Sequence, residues 1–180
     1  MTSSTSISPA RIVLTGFMGS GKSTVGPLIA RRLGWRFTDV DSVIESEAGT
    51  TIAEIFASKG ESAFRDLEYA TIVRLISAEE LVLALGGGAI ERDGTRNMLL
   101  HSPGTLLVHL EVKLQTTLAR CSGTEDVRPV LADQANLAAR YQCRLPLYRT
   151  AHLNLCTDNL SPEQVSASVL QAAGLEAKQL

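Results

Sequence analysis

The stretch Gly16-Phe-Met-Gly-Ser-Gly-Lys-Ser-Thr24 satisfies G-x-x-x-x-G-K-[ST], the pattern of a loop that cradles nucleotide phosphates. Directly before it, Arg11-Ile-Val-Leu-Thr15 is a compact apolar run of strand type. Directly after it, Ser23 to Leu33 has helical spacing, with Ala30 and Leu33 on one face. Strand, glycine-rich loop and helix is the context that the pattern requires. Gly16, Gly19 and Gly21 permit backbone conformations that a Cβ forbids, so successive N–H groups from Gly19 through Ser20, Gly21, Lys22, Ser23 and Thr24 can converge on phosphate oxygens. The helix adds the positive end of its dipole to the same anion. In such a loop Lys22 reaches the β- and γ-phosphates, and the Ser23 hydroxyl ligates Mg²⁺. ATP with its Mg²⁺ is therefore the expected ligand.

Outward from this loop, short β-type runs alternate with helical patterns. Strands are expected at Arg36 to Val40, Leu81 to Leu85, Thr105 to Leu110 and His152 to Cys156. Leu81-Val-Leu-Ala-Leu85 is apolar at every position, as in a strand covered on both faces. Thr51-Ile-Ala-Glu54 has the capping-box pattern and opens a short helix through Ser58, stopped by Gly60. A longer helix is expected over Ser62 to Ala78. Ser161-Pro162-Glu163-Gln164 opens a last helix that runs to about Ala173, before Gly174. Strand–helix alternation predicts an α/β fold, a parallel sheet between two helical layers as in P-loop NTPases. Residues 11–174 form one domain in this reading, between a polar tail at 1–10 and a short tail at 175–180. Cys121 to Asp133 is polar, contains Gly123 and Pro129 and has no period. It is either a plain surface loop or a lid between two helices.

Bulk properties narrow the function. A chain of 180 residues, 44% hydrophobic and 20% charged with net charge −2, is an ordinary globular domain. No basic run interleaved with aromatics is present, which argues against nucleic acid as a partner. No apolar stretch is long enough to span a membrane, and Met1 to Pro9 lacks the features of a signal peptide. A cytoplasmic monomer is expected. Cys121, Cys143 and Cys156 are odd in number, lack metal-ligand spacing, and read as small buried hydrophobes in a reducing compartment. No Asn-Lys-x-Asp guanine-reading motif occurs. A small chain with such a loop and a polar lid reads as a kinase of small molecules or nucleotides.

Three further constellations bear on the acceptor. Asp39-Val-Asp41 ends the second strand, where alternation puts both carboxylates on one face at the ligand crevice. Two acids there need a cation or a shared proton, and Mg²⁺ arriving with ATP supplies the cation. The alternative is a solvated turn with Asp41 as a helix N-cap; Glu111, after the fourth strand, is the rival metal-side acid. Gly86-Gly87-Gly88 follows the third strand, and would let a ligand lie against bare backbone N–H groups unless it serves a tight turn alone. Arg65, Arg128 and Arg144 complete the set, although spacing alone does not single out Arg65 or Arg144 from solvated surface arginines.

Together these residues resemble the shikimate kinases, over about Arg11 to Ala172. The resemblance rests on Gly16-Phe-Met-Gly-Ser-Gly-Lys-Ser-Thr-Val-Gly26, Phe37-Thr-Asp-Val-Asp41, the Gly-Glu-x-x-Phe-Arg-x-x-Glu stretch from Gly60 to Glu68, Gly86 to Gly88, Arg128-Pro129, and Arg144-Leu-Pro-Leu-Tyr148. It implies a five-stranded parallel sheet of the nucleoside-monophosphate-kinase type with a lid over about 121–133. It also implies transfer of the γ-phosphoryl of ATP to the 3-hydroxyl of shikimate, a step towards chorismate and the aromatic amino acids. By the same resemblance Asp41 holds the ring hydroxyls, Arg65 and Arg144 clamp the carboxylate, and Gly86, Gly87 and Gly88 line the substrate. Lys22 and Arg128 hold the transferring phosphoryl group, Ser23 and Asp39 attend Mg²⁺ (Asp39 through water), and Arg120 lies at the adenine.

Two departures stand out. The lid between Arg120 and Arg128 is about one residue longer than the usual spacing. The adenine-side loop Thr157 to Pro162 lacks the arginine many members carry, so either Arg120 stacks on the adenine alone or the grip on the base is looser. Two other functions fit the loop itself: a kinase of another small acid or polyol, and a non-catalytic nucleotide-dependent binding module. The second is disfavoured by the intact Lys22, Ser23, Asp39 and Asp41.

Overall fold

Arg11–Thr15, buried at every position, forms β1 in the computed structural model, which describes residues 9–121 and 134–175. Four more strands follow: β2 (Arg36–Asp39), β3 (Leu81–Ala84), β4 (Thr105–Glu111) and β5 (Leu153–Cys156). They form one five-stranded sheet in the order β2-β3-β1-β4-β5, with every pairing parallel. The strand pleat sends alternate residues of β1 to opposite faces, and the two cores record it. Ile12 and Leu14 join Val25, Ile29 and Leu33 of helix α1 (Lys22–Leu33) and Val165 and Val169 of α7 (Pro162–Ala172). Val13 faces the other layer, with Ile44 of α2 (Val40–Ala48), Phe64 and Ile72 of α3 (Ile52–Leu75), Leu99 of α4 (Asp93–His101) and Leu137 of α6 (Gln134–Tyr148). Helix α5 (Leu114–Cys121) follows β4. The expected α/β sandwich with a five-stranded parallel sheet is thus present.

The chain leaves β1 for the β2 and β3 side and only later fills β4 and β5 on the other. That reversal opens a crevice at the carboxyl ends of β1, β3 and β4. Among the described residues no helix is long and apolar enough to cross a membrane.

Several local expectations need correcting. Strand β2 stops at Asp39, and Asp41 lies in the first turn of α2, so alternation along a strand does not relate the two acids. The N-cap is Asp39, not Asp41: its side chain accepts a hydrogen bond from the Asp41 N–H. The two helices expected on either side of Gly60 are present within α3, which is broken by the non-helical Gly60 (φ 80, ψ 170); the second ends at Leu75, three residues short of the expected Ala78. Helix α4 was not expected, because Gly94, Thr95 and Asn97 are poor helix formers; burial of Thr95 and Leu99 carries it instead. Of the cysteines only Cys121 is buried. Cys143 lies on the outer face of α6, and Cys156 on an exposed position of the edge strand β5. Arg128, Pro129 and nearly all of the expected lid, together with the two tails save for Pro9, Ala10 and Leu175, lie outside the described residues.

Candidate active site

The loop after β1 has the geometry its glycines predict. Gly16 has φ 147, and a Cβ there would meet Leu110 O at 2.5 Å and Ser20 Oγ at 2.9 Å. Gly21 is the left-handed N-cap of α1 (φ 96). It brings no capping side chain, and the first turn of α1 holds no acid, so nothing of the helix's own neutralises its N-terminal dipole. Lys22 folds back over the loop, its Nζ donating to Gly16 O at 2.8 Å and Phe17 O at 3.2 Å. Ser23 Oγ donates to Asp39 Oδ2 at 3.0 Å, while Asp39 Oδ1 takes the Asp41 N–H at 3.1 Å. One carboxylate therefore ties the glycine-rich loop to the start of α2. Arg120 closes the far side, donating from Nη1 to Gly19 O and from Nη2 to Thr157 O, each at 3.1 Å.

Beside the loop opens a cleft of about 1020 Å³, lined by Gly19 to Thr24, Asp39, Asp41, Arg65, Gly86 to Gly88, Arg120 and Arg144, among others. All the described candidate residues thus border a single space. Glu111, the rival acid, does not: Arg149 holds it at 2.6 and 3.0 Å.

The triple glycine is there for room. A Cβ on Gly86 would lie 2.7 Å from Asp41 Oδ1 and 2.8 Å from Glu68 Oε1, and one on Gly88 would collide with the Arg65 guanidinium. A Cβ on Gly87 would sit 3.7 Å from Arg144 Nη1 and 3.9 Å from Gly16 O. None of the three has positive φ, so at Gly86 and Gly88 close approach of charged side chains, not turn strain, is what excludes larger residues, while Gly87 has room for a Cβ.

Those charged groups are paired only in part. Arg65 donates to Glu68 at 2.8 Å and Glu61 at 3.1 Å, and Arg144 to Glu91 at 2.8 Å. Glu68 is 2% exposed and Arg144 9%. Asp41 Oδ1, Glu68 Oε1 and Arg144 Nε are buried without a hydrogen-bond partner, an arrangement that a polar ligand would satisfy. Loss of water raises the Asp41 carboxyl to about 6, with the Asp39 charge adding to it. Burial raises Glu68 to about 6 as well, against the pull of Arg65.

Glu68 was quoted in the sequence pattern without a role. It buttresses Arg65 from one helical turn away, and its i,i+3 spacing was the available signal. Its burial depends on the distant glycines and was not readable locally. For a metal ion, Ser23 Oγ and Asp39 Oδ2 are hard oxygen donors beside the phosphate cradle. They lie 3.0 Å apart, and Mg²⁺ would take such oxygens directly or through its own waters. The residues fit that ion.

A comparison with protein families matches residues 18–173 to the shikimate kinase model. The shikimate kinase of Persephonella marina is 41% identical over 160 residues, covering 88% of this chain and 96% of that one. That of Moorella thermoacetica is 40% identical, covering 91% and 94%. The solved structure of shikimate kinase from Acinetobacter baumannii in complex with shikimate superposes with TM-score 0.84 at 36% identity, covering 91% of this chain and 92% of that one. A phosphate-binding loop, an arginine-lined recess beside it and these matches together place the chain: it belongs to the shikimate kinase family.

Proposed function

We propose that the cleft transfers the γ-phosphoryl group of ATP to the 3-hydroxyl of shikimate, giving ADP and shikimate 3-phosphate. The observation that carries the reading is the shared wall at Gly87, where an added Cβ would lie within 4 Å of both the loop carbonyl of Gly16 and the guanidinium of Arg144. An anion held by that arginine lies next to the nucleotide's terminal phosphate.

The assignments follow from donor chemistry. Gly19 to Thr24 and Lys22 grip the phosphates, Ser23 and Asp39 hold Mg²⁺ (Asp39 through water), and Arg120 sits at the adenine side. Mg²⁺, when bound, neutralises charge on the phosphate oxygens. Arg65 and Arg144 take the shikimate carboxylate, a planar acceptor that suits guanidinium groups. The unpartnered Asp41 Oδ1 accepts a ring hydroxyl and holds its oxygen towards the γ-phosphorus. As the new P–O bond forms, the bond to the β–γ bridging oxygen breaks, ADP departs with that oxygen, and the hydroxyl proton passes to Asp41. Arg128 joins Lys22 on the moving phosphoryl group by resemblance to the family pattern. In the same reading the chain acts as a monomer in the cytoplasm.

Two tests address the recess. Arg65→Ala and Arg144→Ala should each weaken shikimate binding by roughly 2–5 kcal/mol, because a charged partner is stranded. Titration calorimetry should show nearly unchanged ATP affinity; equal losses for both ligands count against the clamp. Gly88→Ala should push Arg65 off its position and weaken shikimate binding about tenfold with the melting temperature little changed. An unaffected KM for shikimate contradicts that placement of Arg65.

A further inference from the structure

The run Gly86-Gly87-Gly88 has little conformational preference of its own, yet it must present one fixed wall to the substrate. Backbone N–H groups of Ala89 and Glu91 hold the Gly86 and Gly88 carbonyls, and one side chain holds the carbonyl between them. Tyr148, the last residue of α6 and 1% exposed, donates its hydroxyl to Gly87 O at 2.5 Å. Since a peptide unit is planar, fixing that carbonyl fixes the direction of the Gly88 N–H as well. Tyr148 stands one helical turn after Arg144, so the same helix face carries both the guanidinium and the hydroxyl that meet at Gly87.

The ring in turn is backed by His109 of β4. The two rings stack with centroids 5.1 Å apart and planes 20° apart. His109 is 2% exposed, and its Nδ1 meets Asn154 Oδ1 at 2.9 Å. Asn154 Nδ2 donates to the carbonyls of Arg149 and Ala151, which leaves Oδ1 as the acceptor facing His109. Nδ1 therefore carries the proton, and the ring plane is set by β5. Burial pushes the His109 pKa down, keeping the imidazole neutral, and burial pushes the Tyr148 phenol up, so its hydroxyl remains a donor.

We propose that Tyr148 is a positioning residue for shikimate, locking the Gly87–Gly88 peptide through its hydroxyl, and that His109 fixes the Tyr148 ring by stacking. The inference rests on the functional reading above and deepens it. The substrate does not have to order the glycine wall on arrival, because the phenol has already done so.

The test is steady-state kinetics on Tyr148→Phe, which keeps the ring and its packing. Its KM for shikimate should rise about tenfold, the scale of one lost neutral hydrogen bond, with kcat and the KM for ATP within about twofold of the parent. His109→Leu, which removes the stacked ring, should raise the shikimate KM about threefold, and His109→Phe, which keeps a ring but loses the Asn154 anchor, should raise it less. A shikimate KM within twofold of the parent in Tyr148→Phe overturns the lock. So does a parallel loss of kcat, both KM values and melting temperature, which marks a merely structural residue. Equal behaviour of His109→Phe and His109→Leu overturns the stacking role. Failure of the parent enzyme to turn over shikimate would instead overturn the underlying functional reading, and this inference with it.

Discussion

Lys22→Met is expected to lower shikimate-dependent turnover by about 10²–10³-fold, the usual consequence of removing one preorganised charge from a transition state. The geometry of the loop shows why the lysine is suited to the task. Its Nζ rests on Gly16 O and Phe17 O at 2.8 and 3.2 Å, held over the cradle by the backbone that surrounds the phosphates. On the proposed function, charge that moves onto the β–γ bridging oxygen meets this cation. Methionine keeps much of the length and removes the charge, so the fold should persist. Turnover above a tenth of the parent value, with an unchanged melting temperature, contradicts the role.

Asp41→Asn should cost about 10²–10⁴-fold in turnover, the range for a lost acid–base group, while raising stability. The sign follows from linkage. The folded-state pKa of Asp41 is about 6, above the ordinary 3.8. Its contribution to stability is therefore fully present below pH 3.8 and is lost as pH rises through about 6. Near pH 8 the parent carries a buried, incompletely partnered carboxylate beside Glu68, and asparagine relieves it. The melting temperature of Asp41→Asn should exceed the parent's at pH 8, and the gap should close towards pH 4. A gap that stays constant over that range contradicts the buried-charge account. The same carboxyl predicts that kcat/KM for shikimate falls as pH drops below about 6. This is the familiar exchange of stability for function at a site built to receive a ligand.

The nucleotide side of the site was legible because it is local. Gly16 to Thr24 is contiguous, and the left-handed Gly19 and Gly21 follow from steric rules that need no tertiary information. Asp39 and Asp41 were rightly expected close together, but for the wrong reason: an N-cap joins them, not strand alternation. The substrate side was not local. Arg65 on α3 and Arg144 on α6 both reach the glycines after β3, Arg65 at Gly88 and Arg144 at Gly87, and neither arginine differs in its neighbouring sequence from a solvated one. Resemblance to a family, not spacing, supplied them. Glu68, Glu91 and Tyr148 had no role assigned in advance for the same reason, since each acquires its function from a partner far away in the chain. The strands and a parallel sheet covered on both faces followed from hydrophobic patterning, whereas the strand order β2-β3-β1-β4-β5 came from the structure. Helix α4 escaped it because burial there overrides weak helical propensity.

The central claim is that one cleft joins a phosphate cradle to an arginine-lined recess for a cyclic hydroxy acid. It is tested most directly by following ADP release from ATP and Mg²⁺ with shikimate, gluconate or a nucleoside monophosphate as acceptor. The account predicts rapid, saturable ADP release with shikimate alone, matched mole for mole by shikimate 3-phosphate. ADP release that is no faster with shikimate than without it, or faster with gluconate or a nucleoside monophosphate, would contradict it.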